Sequence, residues 1–368
     1  MSDSGLYVHI PFCRSRCAYC DFYSQTDLSL APDWLKALKI EAMRYKDHFG
    51  PFDSLYLGGG TPTTLAATQL TNLVSFLLKE FCFSNGLEFT VEANPDDLTQ
   101  DCVALLKDLG VSRVSVGVQS LNDQELAFLR RRHSACQAEK ALDRLKGAGF
   151  SSLSADLMYA LPGQTVHTWL ETLHRATGLQ PDHLSCYQLT LEKHSLLGRM
   201  SARGEIRKAG IETERRFFLA TSRFLEMEGY LHYEVSNFGR QGHMCRHNLK
   251  YWDGSPYLGL GPAAHSFDGE TRWWNSRSIH RYLERIFGGR SPVAGKETLS
   301  EEKRYMESLL LGFRTILGVR VDKIRNINGL EYIFKQLQEN GLATIDHGRV
   351  VPTREGFLHA DGLPLMFP

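Results

Sequence analysis

Short β-branched or aromatic runs alternate with longer amphipathic segments about six times in the first half of this chain, and no other feature restricts its fold as strongly. The runs Leu6 to Ile10, Ser54 to Leu57, Glu88 to Val91, Arg113 to Val118, Ser152 to Leu157 and His183 to Leu189 read as strands. Between them Trp34 to Tyr45, Ala66 to Glu80, Asp101 to Leu109, Gln137 to Ala148 and Thr168 to Ala176 carry helical spacing. Such alternation demands parallel strands joined by right-handed crossovers, either a doubly wound sheet or a barrel-like array of βα units. Polar residues cluster just after several different strands, which favours the array, because its sites form at the carboxyl ends of barrel strands.

The second half reads differently. A helix from about Ile211 to Glu228 gives way to a Gly-, His- and aromatic-rich stretch of loops and short strands running to Asn275. Helical text returns from Ser300 through Leu317 and from Leu330 to Asn340. Ala343 to Ile345 and Arg349 to Val351 follow, around the turn Asp346-His347-Gly348, and this predicts a small winged-helix-like α+β domain. The expected division is a core over 1–230, a middle region over 231–295 and a C-terminal domain over 296–368. Lys plus Arg (42) equals Asp plus Glu (42), so no bulk charge invites nucleic acid. The longest apolar runs, such as Leu309-Leu310-Leu311, fall far short of the roughly 18 residues that span a bilayer. Met1 to Gly5 has no basic segment of the secretory kind, and the cytoplasm is the expected compartment.

Three of the eight cysteines fall within eight residues, at Cys13, Cys17 and Cys20, directly after the first strand. Thiolates so close together chelate metal. A structural zinc would want a fourth ligand, which His9 could supply only from within a strand. A four-iron cluster on three thiolates leaves one iron open to a further cofactor. Cluster, zinc and inert thiols all remain open on the cysteines alone. The other five, Cys82, Cys102, Cys136, Cys186 and Cys245, read as buried small hydrophobes.

A second signal, Leu57-Gly58-Gly59-Gly60-Thr61-Pro62-Thr63, ends the second strand and would let a polar ligand approach the backbone. It fits neither a dinucleotide fingerprint nor a Walker loop. Polar residues also end the next three strands, at Glu92, Gln119 and Asp156, and Arg131 lies on the helical segment between. A carboxylate could pair with an ammonium or with ribose hydroxyls, while Arg131 could grip a carboxylate bidentately.

At these residues the chain resembles radical S-adenosylmethionine proteins of the oxygen-independent coproporphyrinogen III oxidase family. The likeness begins at Tyr7-Val8-His9-Ile10-Pro11-Phe12-Cys13 and includes the three-cysteine motif, Gly58 to Pro62, Glu92 to Pro95, Val118-Gln119-Ser120 and Asp156. It implies a partial (β/α)6 TIM-like barrel with a C-terminal winged-helix-like domain. It also implies that Cys13, Cys17 and Cys20 ligate a [4Fe–4S] cluster whose open iron takes S-adenosylmethionine. By the same matching, Tyr7, Tyr19, Gly59, Gly60, Thr61, Glu92, Gln119, Arg131 and Asp156 line the S-adenosylmethionine site.

After Cys20 the sequence departs from the oxidases, which carry a fourth cysteine where this chain has Phe22. The Phe form resembles the HemW-type heme chaperones, as does His247-Asn248-Leu249-Lys250-Tyr251-Trp252, which matches their HNxxYW motif. The resemblance implies a protein that binds heme through His247, Tyr251 and Trp252 and transfers it to acceptor hemoproteins, some of them at a membrane. His243, Cys245 and His265 are rival iron ligands. A coproporphyrinogen oxidase or another porphyrin-modifying radical enzyme is the alternative, and oxidase activity is expected to be absent.

Overall fold

Six parallel strands stand side by side in chain order: β1 (Ser4–Ile10), β2 (Phe52–Gly59), β3 (Phe83–Ala93), β4 (Arg113–Gln119), β5 (Ser152–Tyr159) and β6 (His183–Gln188). The structure is a computed structural model that describes residues 3–325 and 329–367. Met1 and Ser2 of the amino end, and residues 326–328 and 368 of the expected C-terminal domain, lie outside the described residues. The crossovers run through α1 (Ala31–Met43), α2 (Ala67–Glu80), α3 (Gln100–Asp108), the pair α4 (Asp123–Phe128) and α5 (Ala135–Ala148), and α6 (Val166–Gly178). The open parallel array is the partial TIM-like barrel that the resemblance implied.

The strands have two faces of opposite chemistry. Leu6, Val8, Ile10, Leu55, Leu57, Val91, Val114, Val116, Leu157 and Leu184 alternate along them and are buried in one core with the helices. The intervening positions are polar, among them Tyr7, Tyr56, Glu92, Ser115, Asp156 and Ser185, and they meet across strands inside the array. Local signals set the helix limits. Ser134 accepts from Gln137 N–H while the Gln137 side chain accepts from Ser134 N–H, so α5 starts two residues earlier than its periodicity suggests. It ends at Gly149, whose φ of +70° only a residue without a Cβ adopts readily.

Beyond β6 come α7 (Leu196–Ala202) and α8 (Ile211–Met227), then β7 (Leu231–Glu234) and β8 (Asn237–Gly239), which extend the sheet antiparallel at the β6 edge. The expected loop region holds a helix, α9 (Arg246–Asp253), and then β9 (Tyr257–Leu260), which pairs parallel with β1. β10 (His265–Phe267), β11 (Thr271–Asn275), α10 (Ile279–Phe287) and β12 (Val293–Thr298) follow, and their strands complete a twelve-stranded sheet. α10 and β12 were not anticipated from the sequence.

The C-terminal unit comprises α11 (Glu301–Gly312), β13 (Val319–Arg320), α12 (Leu330–Glu339), β14 (Ala343–Asp346), β15 (Arg349–Pro352) and α13 (Arg354–Leu358). Its three-stranded sheet, ordered β13-β15-β14, and its own core around Leu309, Phe313, Leu337 and Val350 have the winged-helix character expected. Backbone bonds from Val235 N–H to Arg314 O and from Ile316 N–H to Tyr233 O tie it to β7. Among the described residues no helix is long and apolar enough to cross a membrane.

Trp169 on α6 is fully buried, and its indole N–H donates to Thr221 Oγ1 on α8 at 2.7 Å. Trp169→Ala is expected to lower stability by about 3–5 kcal/mol, read as a lower urea midpoint by circular dichroism.

Candidate functional site

The loop after β1 carries the three thiols and is pinned on both sides. Cys13 N–H donates to Gln25 O and Gln25 N–H to Pro11 O, while Ala18 N–H reaches Leu129 O beyond β4. Gly60 N–H and Thr61 N–H extend the β1–β2 pairing by donating to Ile10 O and Phe12 O. This gives the glycine patch a reason of its own, beside the ligand approach expected from the sequence. A Cβ on Gly60 would sit 2.6 Å from both Ile10 O and Phe12 O. One on Gly59 would strike the His9 imidazole at 2.3 Å, and one on Gly58 would meet the Glu92 carboxylate at 2.8 Å. The glycines make room for the chain's own packing at the thiol loop.

From Cys17 round to Cys13 runs a chain of hydrogen bonds. Arg131 Nη1 donates to Cys17 Sγ at 3.1 Å, and Nη2 donates to Gly117 O at 2.7 Å and to Asn94 Oδ1. Asn94 Nδ2 donates to Thr61 Oγ1 at 2.9 Å, and Thr61 Oγ1 donates to Cys13 Sγ at 3.5 Å. Tyr19 Oη lies 3.4 Å from Arg131 Nη1. Arg131 sits in the turn between α4 and α5, not on a helix as expected, following Arg130 at φ +55°. This chain of bonds aims a guanidinium and a hydroxyl at two sulfurs, which favours negative charge there. Burial pushes the Cys20 thiol up to about 11 and also raises that of Cys13. Asn94 was not singled out from the sequence, although it follows Glu92 at the end of β3, where site residues gather.

Next to these bonds, Glu92 accepts from Gly59 N–H at 3.0 Å and from Tyr56 Oη at 2.9 Å. Desolvation, against those two bonds, pushes its carboxyl up to about 7. Asp156 accepts from Ser115 Oγ at 3.1 Å, and burial likewise raises it. Tyr7 donates to His9 Nδ1 at 3.1 Å while His9 Nε2 donates to Tyr23 O at 2.8 Å. His9 is thus committed to β1 and its neighbours, and burial holds it neutral, its pKa lowered to about 4. Gln119 ends β4 with φ +67°. Of the residues matched to an S-adenosylmethionine site, Tyr19, Gly59, Gly60, Thr61, Glu92, Gln119 and Arg131 gather around the thiol loop and the carboxyl ends of the strands, while Tyr7 and Asp156 face the interior from mid-strand.

The HNxxYW segment lies at the opposite end. Glu88 of β3 accepts the N–H groups of Arg246 and His247, and so caps α9 electrostatically. Lys250 pairs with Asp53 at 2.8 Å and donates to Asp3 O. His247 is buried, with Nδ1 3.0 Å from Ser54 Oγ and Nε2 3.0 Å from Tyr251 Oη. Both ring nitrogens have partners within the protein, because α9 turns that face toward β1 and β2. Trp252, half-buried, lines a cavity of about 890 Å³ between α9 and the C-terminal unit, as does Tyr251. The rival ligands are dispersed. Cys245 is buried beside Glu88, His243 faces Asp182 at 3.9 Å, and the His265 ring stacks on Trp274.

The sequence model of the Radical SAM superfamily matches residues 7–176. The chain is 35% identical over 366 residues to the heme chaperone HemW of Mycobacterium tuberculosis, covering 98% of this chain and 93% of that protein. It is 33% identical over 362 residues to HemW of Bacillus subtilis, 96% of each. To the mitochondrial radical S-adenosyl methionine domain-containing protein 1 of Bos taurus it is 31% identical, over 98% and 86% of the two chains. Among solved structures, coproporphyrinogen III oxidase (HemN) from Escherichia coli shares the fold, with a TM-score of 0.84 over 99% of this chain and 90% of that one at 23% identity.

Two outcomes test the geometry. Gly60→Ala forces the Ile10 and Phe12 backbone aside, so Cys13 and Cys17 are expected to react faster with an alkylating reagent than in the wild type. Glu92 titrates near 4.5 when unfolded and near 7 when folded, so its ionisation weakens the folded state as pH rises between those values. The melting-temperature advantage of Glu92→Gln over wild type should therefore grow from pH 4.5 to 7 and then level off.

Proposed function

The chain belongs to the HemW heme-chaperone family within the radical SAM superfamily, and on that premise we propose that it carries heme to acceptor hemoproteins beside a [4Fe–4S] cluster and S-adenosylmethionine. The observation that supports this reading best is the chain of hydrogen bonds joining Cys17, Arg131, Asn94, Thr61 and Cys13. Donors aimed at sulfur fit thiolates that hold irons, since hydrogen bonds to ligand atoms tune a metal centre. In this reading Cys13, Cys17 and Cys20 hold the cluster. Arg131 Nε, buried without a partner among the described residues, is a donor for an incoming carboxylate. Tyr7, Tyr19, Gly59, Gly60, Thr61, Glu92, Gln119 and Asp156 form the rest of the S-adenosylmethionine site, with Glu92 near its protonation midpoint at neutral pH. When bound, the cluster and S-adenosylmethionine supply one-electron reduction of the sulfonium.

His247 acts on heme indirectly, by holding the Tyr251 ring, while Tyr251 and Trp252 touch the ligand. Phe22 favours the chaperone over the oxidase: it is 73% exposed beside the thiol loop and offers neither a thiolate nor a hydrogen-bond donor. We place the protein in the cytoplasm, peripheral to membranes where an acceptor lies in one. Its division into a core over 1–230, a middle region over 231–295 and a C-terminal domain over 296–368 belongs to the same proposal.

Anaerobically reconstituted protein is expected to hold about four irons per chain. Cys13→Ala, Cys17→Ala and Cys20→Ala should each abolish the cluster absorption, and stoichiometric zinc without an iron spectrum would overturn the assignment. Assayed in parallel, the wild type should pass heme to an apo-hemoprotein and leave coproporphyrinogen unchanged. Conversion of coproporphyrinogen to protoporphyrinogen would overturn the chaperone reading.

A further inference from the structure

The cavity of about 890 Å³ beside α9 falls in the range of about 300–1,000 Å³ typical of cofactor sites. Its walls come from two units. Trp252 of α9, Tyr257 of β9 and Phe267 of β10 face Tyr305 of α11 and the C-terminal strands. Six cationic side chains line it, against the three carboxylates of Asp253, Glu301 and Glu307. Three of the cations are committed to acids: Lys250 to Asp53, Arg272 to Glu297 and Glu307, and Arg320 to Asp322. The other three are held more loosely. Among the described residues Arg349 donates only to the backbone carbonyls of Leu317 and Gly318, and Arg304 reaches the exposed Glu270 at 3.5 Å. Lys323 has no ion pair among the described residues.

An apolar face flanked by Lys323, Arg349 and the exposed Arg304–Glu270 pair suits a planar aromatic macrocycle bearing carboxylates. We propose that this cavity, not the lumen of the strand array, is where heme is carried, with its propionates on Arg304, Lys323 and Arg349 and its ring plane against Trp252. The proposal rests on the heme-chaperone reading and locates its cargo. The phenols on the wall that could meet iron are those of Tyr257 and Tyr305; the Tyr251 hydroxyl is held by His247, and the imidazoles of His243, His247 and His265 lie off the wall. Because the walls belong partly to the sheet and partly to the C-terminal unit, separating those two opens the cavity.

The test uses the full-length, anaerobically reconstituted chain. Porphyrin binding is followed by absorption and by quenching of tryptophan emission, with cluster absorption and circular dichroism as controls for folding. Wild type should bind heme and iron-free protoporphyrin, and should bind protoporphyrin dimethyl ester more weakly by roughly tenfold or more, since the ester removes charge-assisted bonds. Lys323→Glu combined with Arg349→Glu should weaken heme binding to a similar extent with the cluster intact, and Trp252→Ala should diminish both affinity and quenching. Wild type that binds heme but holds the dimethyl ester equally well would overturn this location while leaving the chaperone reading in place. Unchanged heme affinity in a folded charge-reversal variant would do the same. A wild-type chain that binds no heme at all would overturn both.

Discussion

Six adjacent strands with faces of opposite chemistry set the terms for the rest of this molecule. The outward Leu, Val and Ile side chains join the crossover helices in one core, and burying them at roughly 25 cal/mol per Å² drives the array together. The inward side chains must then satisfy one another or meet a ligand, because a buried polar atom left unpaired costs about 1–3 kcal/mol. Most find partners. Ser154 bonds His183 at 2.8 Å, Arg113 bonds Ser152 at 2.9 Å, and Ser115 holds Asp156. Exceptions include Thr90 Oγ1 within the array and Arg131 Nε beside the thiol loop.

The carboxyl ends of the strands carry the strain. Gln119 closes β4 at φ +67°, Ala160 follows β5 at φ +60°, and Ala263 comes shortly after β9 at φ +62°. A residue with a Cβ in that region costs about 1–2 kcal/mol. It persists where its surroundings over-determine it, as they do at binding sites. The glycines of β2 belong to the same crowding. There the limiting contact is the chain with itself, and the thiol loop is seated by the extra pairing from Gly60 and Thr61.

Much of this could be read in the sequence, because alternation and chemistry share a period. The six strands, the main crossovers and the hairpin around Asp346-His347-Gly348 follow from local periodicity. The site residues stood out because polar groups at successive strand ends are improbable as mere caps. What escaped depends on partners distant in the chain. Asn94 matters only because Thr61 and Arg131 arrive from other strands. The packing role of Gly59 and Gly60 was hidden because the segment that fills their space precedes them by some fifty residues. The burial of His247 escaped because nothing in its neighbourhood announces Ser54 and Glu88, which turn α9 inward.

That orientation of α9 joins the two ends of the molecule. Positions four apart on an α-helix share a face, while the next residue projects about 100° away. His247 and the Tyr251 hydroxyl accordingly reach toward the array, and Trp252 faces the cavity. The His247 ring lies 5.1 Å from the Tyr56 ring and 6.2 Å from that of Tyr7. Tyr56 bonds Glu92 and Tyr7 bonds His9, so a packed column runs from the cavity wall to the glycines under the thiol loop. Close-packed side chains transmit displacement instead of absorbing it, so any displacement of α9 would press His247 against both tyrosines. Linkage makes such a coupling reciprocal.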